Sequence, residues 1–401
     1  MSEPAVLARG WGWRHPGRKA WALRGVDLRI DEGERVLLLG ASGAGKSTLL
    51  QALAGLLDPS GGDQEGELRV RGGAGLVLQD PETQLVMARA GDDVAFGLEN
   101  QCVPTVEIWP RVHRALADVG FPYPEDRATA ALSGGEKQRL AIAGILALRP
   151  RVLLLDEPTA NLDPDGARAI RGVLARVAER RDVTMVVVEH RVADMLPLVD
   201  RVIVIEAEGG VVADGKPGTV FAREGDRLKA LGVWVPGPAP AAPARRAPPG
   251  DDAIVARDLS YVYPRAEAAA LEGVAAAVRR GSALAITGPN GSGKSTLAML
   301  LAGLLRPQGG EVRAFGEDPS RLSPRALVRR IGTVFQDPEH QLIATRVDDE
   351  LRVGPRAVGL PKEETERRVR KLLERLDLAK VAAANPFTLS GGEKRRLEIA
   401  R

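Results

Sequence analysis

The fold is decided by the stretch VLLLGASGAGKST, residues 36–48, in which an apolar run leads into a glycine-rich loop and then into a helical pattern. The loop fits the phosphate-binding pattern G-x-x-x-x-G-K-[ST]. Glycines allow backbone N–H groups to turn inward around a triphosphate, and the N-terminus of the following helix adds a partial positive charge. We therefore predict a nucleotide-binding loop made of Gly40, Ala41, Ser42, Gly43, Ala44, Gly45, Lys46, Ser47 and Thr48.

A second loop of the same pattern lies 248 positions further along the chain. It predicts a second nucleotide-binding loop made of Gly288, Pro289, Asn290, Gly291, Ser292, Gly293, Lys294, Ser295 and Thr296. In each copy the lysine would reach the β- and γ-phosphates, and the serine after it, Ser47 or Ser295, would be a ligand of Mg²⁺. A glycine-rich strand-to-helix turn is the alternative interpretation, but two copies at equivalent places favour nucleotide sites.

The two loops belong to homologous halves. Motifs after the loops recur 257 positions apart, so nine extra residues enter the second half, near the loop-like segment 316–324. A chain of 401 residues exceeds what one hydrophobic core usually supports. We predict a first domain over residues 1–234, a Pro/Ala-rich linker over 235–251 and a second domain over 252–401.

The composition excludes several classes of protein. A hydrophobic fraction of 44% and a charged fraction of 27% are those of a globular protein. The net charge of +3, from 56 basic and 53 acidic residues, does not predict a nucleic-acid surface. The single cysteine, Cys102, excludes an internal disulfide and fits a reducing compartment. No apolar stretch approaches the length of a membrane-spanning helix, so we expect any work at a membrane to go through a partner.

Four apolar runs predict the core of the first domain. They cover residues 36–39, 152–155, 183–188 and 202–205, and segments with helical patterns lie between them. Short runs that are apolar on both faces are typical of a buried parallel sheet. We therefore predict a doubly wound α/β domain.

A further repeated motif narrows the class. It reads Leu132-Ser133-Gly134-Gly135-Glu136 in the first half and Leu389-Ser390-Gly391-Gly392-Glu393 in the second. A capping box at the start of a helix is the structural interpretation of S-x-x-E. Together with the two loops, however, the motif resembles the signature of the ATP-binding-cassette family. That resemblance implies two P-loop domains, each with a mainly parallel sheet, an antiparallel β subdomain and a helical subdomain that carries the signature.

The resemblance also implies a catalytic set in the first half. Asp156 and Glu157 follow the apolar run 152–155, where an open α/β sheet places its ligand. Asp156 would hold Mg²⁺ through water, and Glu157 would be the general base. His190 matches the family's switch histidine, which contacts the γ-phosphate. An acidic pair that merely ends a strand, or a structural histidine, is the alternative for each.

Two more positions are implied by the same resemblance. Gln79 and Gln336 match the glutamine that approaches Mg²⁺ and the attacking water. Tyr263 occupies the position of the aromatic residue that stacks on adenine, and the repeat puts His15 at the equivalent place in the first half. Stacking by His15 or by Trp13 stays open, with packing as the alternative for Trp13.

In the family each site combines one P-loop with the signature of the other domain. The first site would join Lys46, Ser47, Gln79, Asp156, Glu157 and His190 to residues 390–393. The second would join Lys294, Ser295 and Gln336 to residues 133–136. Counterparts of Asp156, Glu157 and His190 would fall beyond Arg401, so we expect the second site to bind ATP but hydrolyse it poorly. We also expect the second domain to be an incomplete part of a longer protein.

A subfamily is indicated by the residues after each glutamine. These are QDPETQL over 79–85 and QDPEHQL over 336–342, followed by acidic segments at 92–100 and 347–350. They resemble the ATPase subunits of energy-coupling-factor importers of vitamins, cobalt or nickel. The resemblance implies ATP and Mg²⁺ as cofactors, a transmembrane coupling protein and a substrate-binding membrane subunit as partners, and a place at the cytoplasmic face of the membrane.

The alternative from another class is a soluble tandem-cassette protein that acts on ribosomes or DNA. Ribosome-acting members carry a long charged helical linker, whereas the linker here is short and rich in Pro and Ala. DNA-repair members carry coiled-coil or zinc-binding insertions, which this sequence lacks. We therefore favour transport and expect no nucleic-acid partner.

Overall fold

The chain is described by a computed structural model over residues 3–41, 43–160, 162–180, 183–206, 208–230, 233, 235–236, 250–266, 268–335, 337–389 and 391–400. It divides into two compact units, Met1–Ala239 and Pro240–Arg401. Most of the predicted linker over 235–251 lies outside the described residues. Within the part that is described, no helix combines the length and the apolar character needed to cross a membrane.

The first unit contains two β-sheets. Its strands are β1 (Val6–Arg14), β2 (Leu23–Ile30), β3 (Arg35–Leu39), β4 (Asp63–Val70), β5 (Ala74–Val77), β6 (Val152–Asp156), β7 (Thr184–Val188), β8 (Arg201–Glu206) and β9 (Gly210–Gly215). One sheet is antiparallel with the order β2-β1-β4, and the other has the order β5-β6-β7-β3-β8-β9. Neighbours from β5 to β8 are parallel, and β9 is antiparallel to β8. The α/β prediction for this domain is confirmed.

The central strands are buried on both faces, as their apolar runs predict. In β3, Val36 and Leu38 face one core while Leu37 and Leu39 face the other, and all four are at most 3% exposed. Burial of such a side chain stabilises the fold by about 1.5–3 kcal/mol. The two cores therefore fix β3, with the loop that follows it, at the centre of the sheet.

Helices and the antiparallel sheet cover the two faces. The helices are α1 (Lys46–Leu53), α2 (Ala90–Asn100), α3 (Thr105–Asp118), α4 (Gly134–Ala147), α5 (Pro164–Glu179), α6 (Val192–Met195) and α7 (Pro217–Ala230). Helices α2, α3 and α4 pack together as a helical subdomain, and Val94, Val112 and Leu140 join them to the core under Leu37. Trp11 and Leu23 of the antiparallel sheet belong to the other core. Both predicted subdomains are present.

The second unit repeats the peripheral parts of the first. Its elements are β10 (Asp252–Tyr261), β11 (Leu271–Arg279), α8 (Lys294–Leu301), β12 (Gly309–Ala314), α9 (Pro324–Val328), α10 (Val347–Ala357), α11 (Lys362–Arg375) and α12 (Gly391–Ala400). The strands form an antiparallel sheet of order β11-β10-β12. One small core joins this sheet to α8, and a separate one joins α10, α11 and α12.

A parallel sheet is not formed among the described residues of the second unit. Leu284 and Ile286, which correspond to Val36 and Leu38 of β3, are 48% and 36% exposed and lie outside any strand. In the first unit β3 pairs with β7 and β8. Among the described residues, the run at 284–286 has no neighbouring strand to pair with.

Candidate active site

The order of the parallel strands brings the predicted catalytic residues to one edge of the sheet. Gln79 follows β5, Asp156 ends β6, His190 follows β7 and Gly40 follows β3. These four strands are neighbours in the sheet and run in the same direction. Their carboxyl ends therefore meet at the edge where open α/β sheets hold their ligands.

Glu157 lies between two of the other predicted residues. Its Oε1 is 2.9 Å from His190 Nε2, and its Oε2 accepts a hydrogen bond of 3.0 Å from the Gln79 amide. The Glu157 side chain is 17% exposed, whereas that of His190 is 62% exposed. The hydrogen bond to Glu157, together with its negative charge, raises the pKa of His190. Both carboxylate oxygens of Glu157 are thus held in a fixed direction.

The backbone of Glu157 explains how its side chain reaches this position. Its φ is +48°, in the left-handed region that costs a residue other than glycine roughly 1–2 kcal/mol. Its N–H donates a 3.0 Å hydrogen bond to the carbonyl of Val188 at the end of β7. The chain therefore turns sharply after β6 and is tied to the neighbouring strand at the turn.

Lys46 lies inside the first glycine-rich loop. It is 9% exposed, and its Nζ donates hydrogen bonds of 2.9 Å to the carbonyls of both Gly40 and Ala41. Burial lowers the pKa of Lys46, against the opposing effect of the nearby acids Glu157 and Asp156. Burial likewise raises the pKa of Asp156, although a hydrogen bond with Ser47 opposes that effect. The loop, its lysine and the two acids thus form one connected group.

Glycine is needed in the loop for two separate reasons. Gly43 and Gly45 have φ values of +81° and +86°, in the left-handed region. A Cβ on Gly45 would also lie 2.5 Å from the carbonyl oxygen of Ala22. The loop can therefore adopt this path only with glycine at these positions.

The second loop has the same internal geometry. Lys294 Nζ donates hydrogen bonds of 3.0 Å to the Gly288 carbonyl and 2.7 Å to the Pro289 carbonyl. Gly293 has a φ of +83°, and a Cβ there would lie 2.3 Å from the carbonyl oxygen of Ala270. Helix α8 begins at Lys294, as α1 begins at Lys46. Both loops are therefore built in the same way.

The structure places His15 and Tyr263 at matching positions. His15 Nε2 lies 3.2 Å from the Thr48 hydroxyl, and the Tyr263 hydroxyl lies 3.2 Å from that of Thr296. Trp13 is only 2% exposed and belongs to the core, so its ring has little surface for a ligand. Of the two alternatives in the first half, the geometry favours His15.

The signature of the first unit forms the capping box that its sequence predicts. Ser133 caps α4, and its N–H donates a 2.8 Å hydrogen bond to Glu136, which also accepts one from the Tyr123 hydroxyl. Gly134 and Gly135 begin the helix. In the second unit Gly391, Gly392 and Glu393 begin α12. Ser42, Gln336 and Ser390 lie outside the described residues.

Contacts that the motifs alone did not reveal tie the loop after Gln79 to the signature helix. Lys137 of α4 forms an ion pair of 2.5 Å with Glu82. The second unit repeats it between Lys394 and Glu339, also at 2.5 Å. Both acids belong to the QDPE segments and both lysines follow the signature glutamate. Their recurrence at the same offset was a signal in the sequence that could have indicated the pairing.

Glu189 is a second residue that the sequence interpretation missed. It lies between β7 and His190, and it is only 5% exposed. Its carboxylate accepts hydrogen bonds from the backbone of Thr159 and of His190. An acid directly after a mainly apolar run was visible in the sequence, but its partner Thr159, in the turn after another strand, was not.

Known proteins similar to this chain identify its family. The sequence model of the ABC transporter family matches residues 23–160 and 271–401. The chain is 33% identical to YkoD of Bacillus subtilis (strain 168), over 94% of this chain and 75% of that protein. YkoD carries the provisional name HMP/thiamine import ATP-binding protein. The chain is also 33% identical to an ABC transporter ATP-binding protein, provisionally named, of Methanosarcina acetivorans, over 100% of this chain and 75% of the relative.

A solved structure is also similar to part of the chain. It is cbiO1 from Clostridium perfringens, described as part of the ABC transporter complex cbiONQ. The match has 32% sequence identity, covers 57% of this chain and 95% of that one, and has a TM-score of 0.49.

Proposed function

Because this chain belongs to the ABC transporter family of ATP-binding proteins and is an ATPase, we propose that it powers import as the nucleotide-binding component of an energy-coupling-factor-type transporter. The observation that carries the enzymatic part is the Glu157 carboxylate, held between Gln79 and His190 beside the glycine-rich loop. Import is supported by the name of YkoD and by the QDPE segments, which resemble those of energy-coupling-factor ATPases.

Each residue of the proposed site has a task that follows from its position. Glu157 acts as the general base, since a base must be oriented toward the proton that it removes. His190 and Gln79 hold that orientation, and His190 also contacts the γ-phosphate. Lys46 exchanges its two carbonyl partners for phosphate oxygens when ATP enters, because the loop's N–H groups and the start of α1 attract the anion. His15 stacks against the adenine.

The donor set beside Lys46 fits Mg²⁺. Ser47 and Asp156 are joined by a hydrogen bond, and both offer the oxygen ligands that this ion prefers. Gln79 adds an amide oxygen at the same edge of the sheet. Ser47, Asp156 and Gln79 would hold the ion, with Ser295 and Gln336 as the equivalent ligands beside the second loop. When bound, the ion neutralises charge on the phosphates.

The signature residues are also part of the proposal. We propose that nucleotide is bound by Ser133, Gly134, Gly135 and Glu136 in the first unit and by Ser390, Gly391, Gly392 and Glu393 in the second. The N-terminus of α4, with its partial positive charge, is suited to a phosphate. The proposed domains keep the boundaries 1–234 and 252–401.

A groove on the first unit supports a membrane partner. It has a volume of about 150 Å³ and is lined by residues of the loop after Gln79 and of helices α2 and α4. Val86 and Phe96 at this groove are 60% and 39% exposed. Asp93 fixes the loop by accepting hydrogen bonds from the N–H groups of Val86 and Met87. We assign the groove to a helical segment of the transmembrane coupling protein, which would hold the chain at the cytoplasmic face of the membrane.

Membrane association distinguishes a transport function from a soluble one. The chain, expressed with its transmembrane partners, should stay with membranes through a high-salt wash and should be released when the coupling protein is deleted. HMP and thiamine are the first substrates to test for uptake, because the name of YkoD contains them. Purification with ribosomes from a membrane-free lysate, with no membrane association, would instead indicate the soluble tandem-cassette class.

A further inference from the structure

Glu189 is a buried acid whose two oxygens bind two different loops. Its Oε1 accepts a 3.0 Å hydrogen bond from the Thr159 N–H and another from the Thr159 hydroxyl. Its Oε2 accepts hydrogen bonds from the N–H groups of His190, at 2.9 Å, and Arg191, at 3.4 Å. One carboxylate therefore joins the turn after β6 to the turn after β7.

These two turns carry the residues proposed for catalysis. Thr159 lies two residues after Glu157, and the N–H of Ala160 donates a 3.0 Å hydrogen bond to the Glu157 carbonyl. His190 directly follows Glu189 and reaches Glu157 Oε1 at 2.9 Å. Glu189, the Thr159 turn, Glu157 and His190 thus form a closed ring of contacts.

The buried carboxylate of Glu189 depends on both turns for its hydrogen bonds. The side chain is 5% exposed, and among the described residues it forms no ion pair, so four N–H and O–H donors satisfy it. A buried carboxylate without such donors is unfavourable. Hydrogen bonds to an ionised acceptor are also stronger than those between neutral groups. Displacement of either turn would therefore leave part of the carboxylate without partners.

We propose that Glu189 is a positioning residue that makes the two catalytic turns move as one unit and so holds His190 against Glu157. The proposal rests on the proposed roles of Glu157 and His190, and Glu189 is not among the residues proposed to bind nucleotide. A glutamine at 189 would offer one oxygen and one NH₂ group. In at least one of the two turns, its NH₂ group would therefore face N–H or O–H donors and could not accept their hydrogen bonds.

The first experiment measures the steady-state ATPase activity of Glu189→Gln in the full chain. We expect kcat to fall on the order of 10- to 100-fold, because small misplacements of catalytic groups have effects of this size. KM for ATP should stay close to that of the wild type, since the glycine-rich loop is not altered. Glu206→Gln is the control, because Glu206 lies at the end of the neighbouring part of this sheet, in β8, but contacts Arg227 instead of the site; it should retain wild-type turnover.

Two variants of Thr159 test the hydrogen bonds of Glu189 to the turn after β6. Thr159→Val removes the hydroxyl donor while keeping the shape, and it should lower kcat in the same direction as Glu189→Gln. Thr159→Ser keeps the donor and should restore kcat. This pair keeps the proposal testable if Glu189→Gln does not fold, which thermal unfolding would show. Equal turnover in Thr159→Val and Thr159→Ser would overturn the proposal.

A double variant identifies the route of the effect. In a His190→Ala background, Glu189→Gln should lower kcat only slightly further, because the histidine that it positions is gone. A full, multiplicative loss would show that Glu189 acts otherwise and would overturn the inference. If Glu157→Gln and His190→Ala themselves left turnover intact, the proposed catalytic site would fail. If both lowered turnover strongly while Glu189→Gln was neutral, only the inference about Glu189 would fail.

Discussion

Two apolar runs with matching sequence positions have different structures. Val36 and Leu38 lie in β3 between two parallel strands, and both are at most 1% exposed. Leu284 and Ile286 precede an equivalent loop, yet they are 48% and 36% exposed and pair with no strand among the described residues. A strand depends on its neighbours for hydrogen bonds and burial, so apolar sequence alone does not form one.

The loops that follow these two runs are alike in spite of that difference. In both, the lysine donates to two loop carbonyls, and the glycine before it has a φ near +85°. The loop conformation is thus set by glycines and by local hydrogen bonds. The chemistry beside the loop differs. In the first unit Asp156, Glu157 and His190 lie at the carboxyl ends of β6 and β7, and β7 pairs with the strand that leads into the loop.

Loss of the proposed general base should have the strongest effect on the first unit. Glu157→Gln should lower ATP turnover of the full chain by a factor of about 10² or more, because general-base catalysis contributes on this order. ATP binding should persist, as Lys46 and the loop are unchanged. Turnover and nucleotide affinity of the purified variant check both points. Near-normal turnover would mean either that Glu157 is not the base or that hydrolysis depends on the second loop, and Lys294→Ala in the same background would separate these outcomes.

Truncation of the two apolar runs should affect stability to different degrees. Leu38→Ala should destabilise the first unit by about 2–5 kcal/mol, the range for truncating a buried leucine. Ile286→Ala should change stability by less than about 1 kcal/mol, because the side chain is already exposed. All five tryptophans precede residue 239, so tryptophan emission during denaturation reports the first unit. Hydrogen exchange reports both units, and equal losses of protection in the two variants would show that residues 284–286 are buried after all.

The sequence was informative where structure is local or repeated. Glycine spacing predicted both loops, S-x-x-E predicted the cap of α4, and the apolar runs predicted a sheet buried on both faces. The repeat predicted a second glycine-rich loop and a second signature helix in the second half. These features depend on residues close together in the chain, so their patterns could be read directly.

Features that depend on contacts between distant strands could not be read in this way. The left-handed φ of Glu157 and its hydrogen bond to Val188 arise in the turn after β6, beside the end of β7. The Glu189–Thr159 hydrogen bonds join residues 30 positions apart. Whether residues 284–286 form a strand depends on neighbouring strands that lie outside the glycine-rich motif. In each case the deciding partner lies on another element, and the sequence does not show which element is adjacent.

A smaller effect concerns the His190–Glu157 pair. The pKa of His190 is raised in the folded protein, so its contribution to stability is fully present below the unfolded-state pKa of about 6.5 and is lost as pH rises through the folded-state pKa. His190→Gln should therefore destabilise the first unit more at pH 6 than at pH 9. The difference should stay below about 1 kcal/mol, because His190 is exposed and solvent screens the pair. Denaturation curves at the two pH values measure it; an NMR titration that placed the His190 pKa below its ordinary value would contradict it.

The smallest effect tests how alike the two units are in the loop–helix contact that they share. Lys137–Glu82 and Lys394–Glu339 have the same length, and the lysines are similarly buried, at 17% and 14% side-chain exposure. Each pair should therefore give a coupling of about 0.2–1 kcal/mol in a double-mutant cycle with Lys→Met and Glu→Gln, with hydrogen exchange of α4 or α12 as the measure. Loss of the Lys137–Glu82 pair should also alter ATP turnover. Glu82 lies on the loop that begins at Gln79, and the Gln79 side chain donates a hydrogen bond to Glu157. Equal couplings with a turnover effect only from Lys137–Glu82 would show that the two units share this contact but differ in catalysis. A turnover effect of the same size from Lys394–Glu339 would remove that difference.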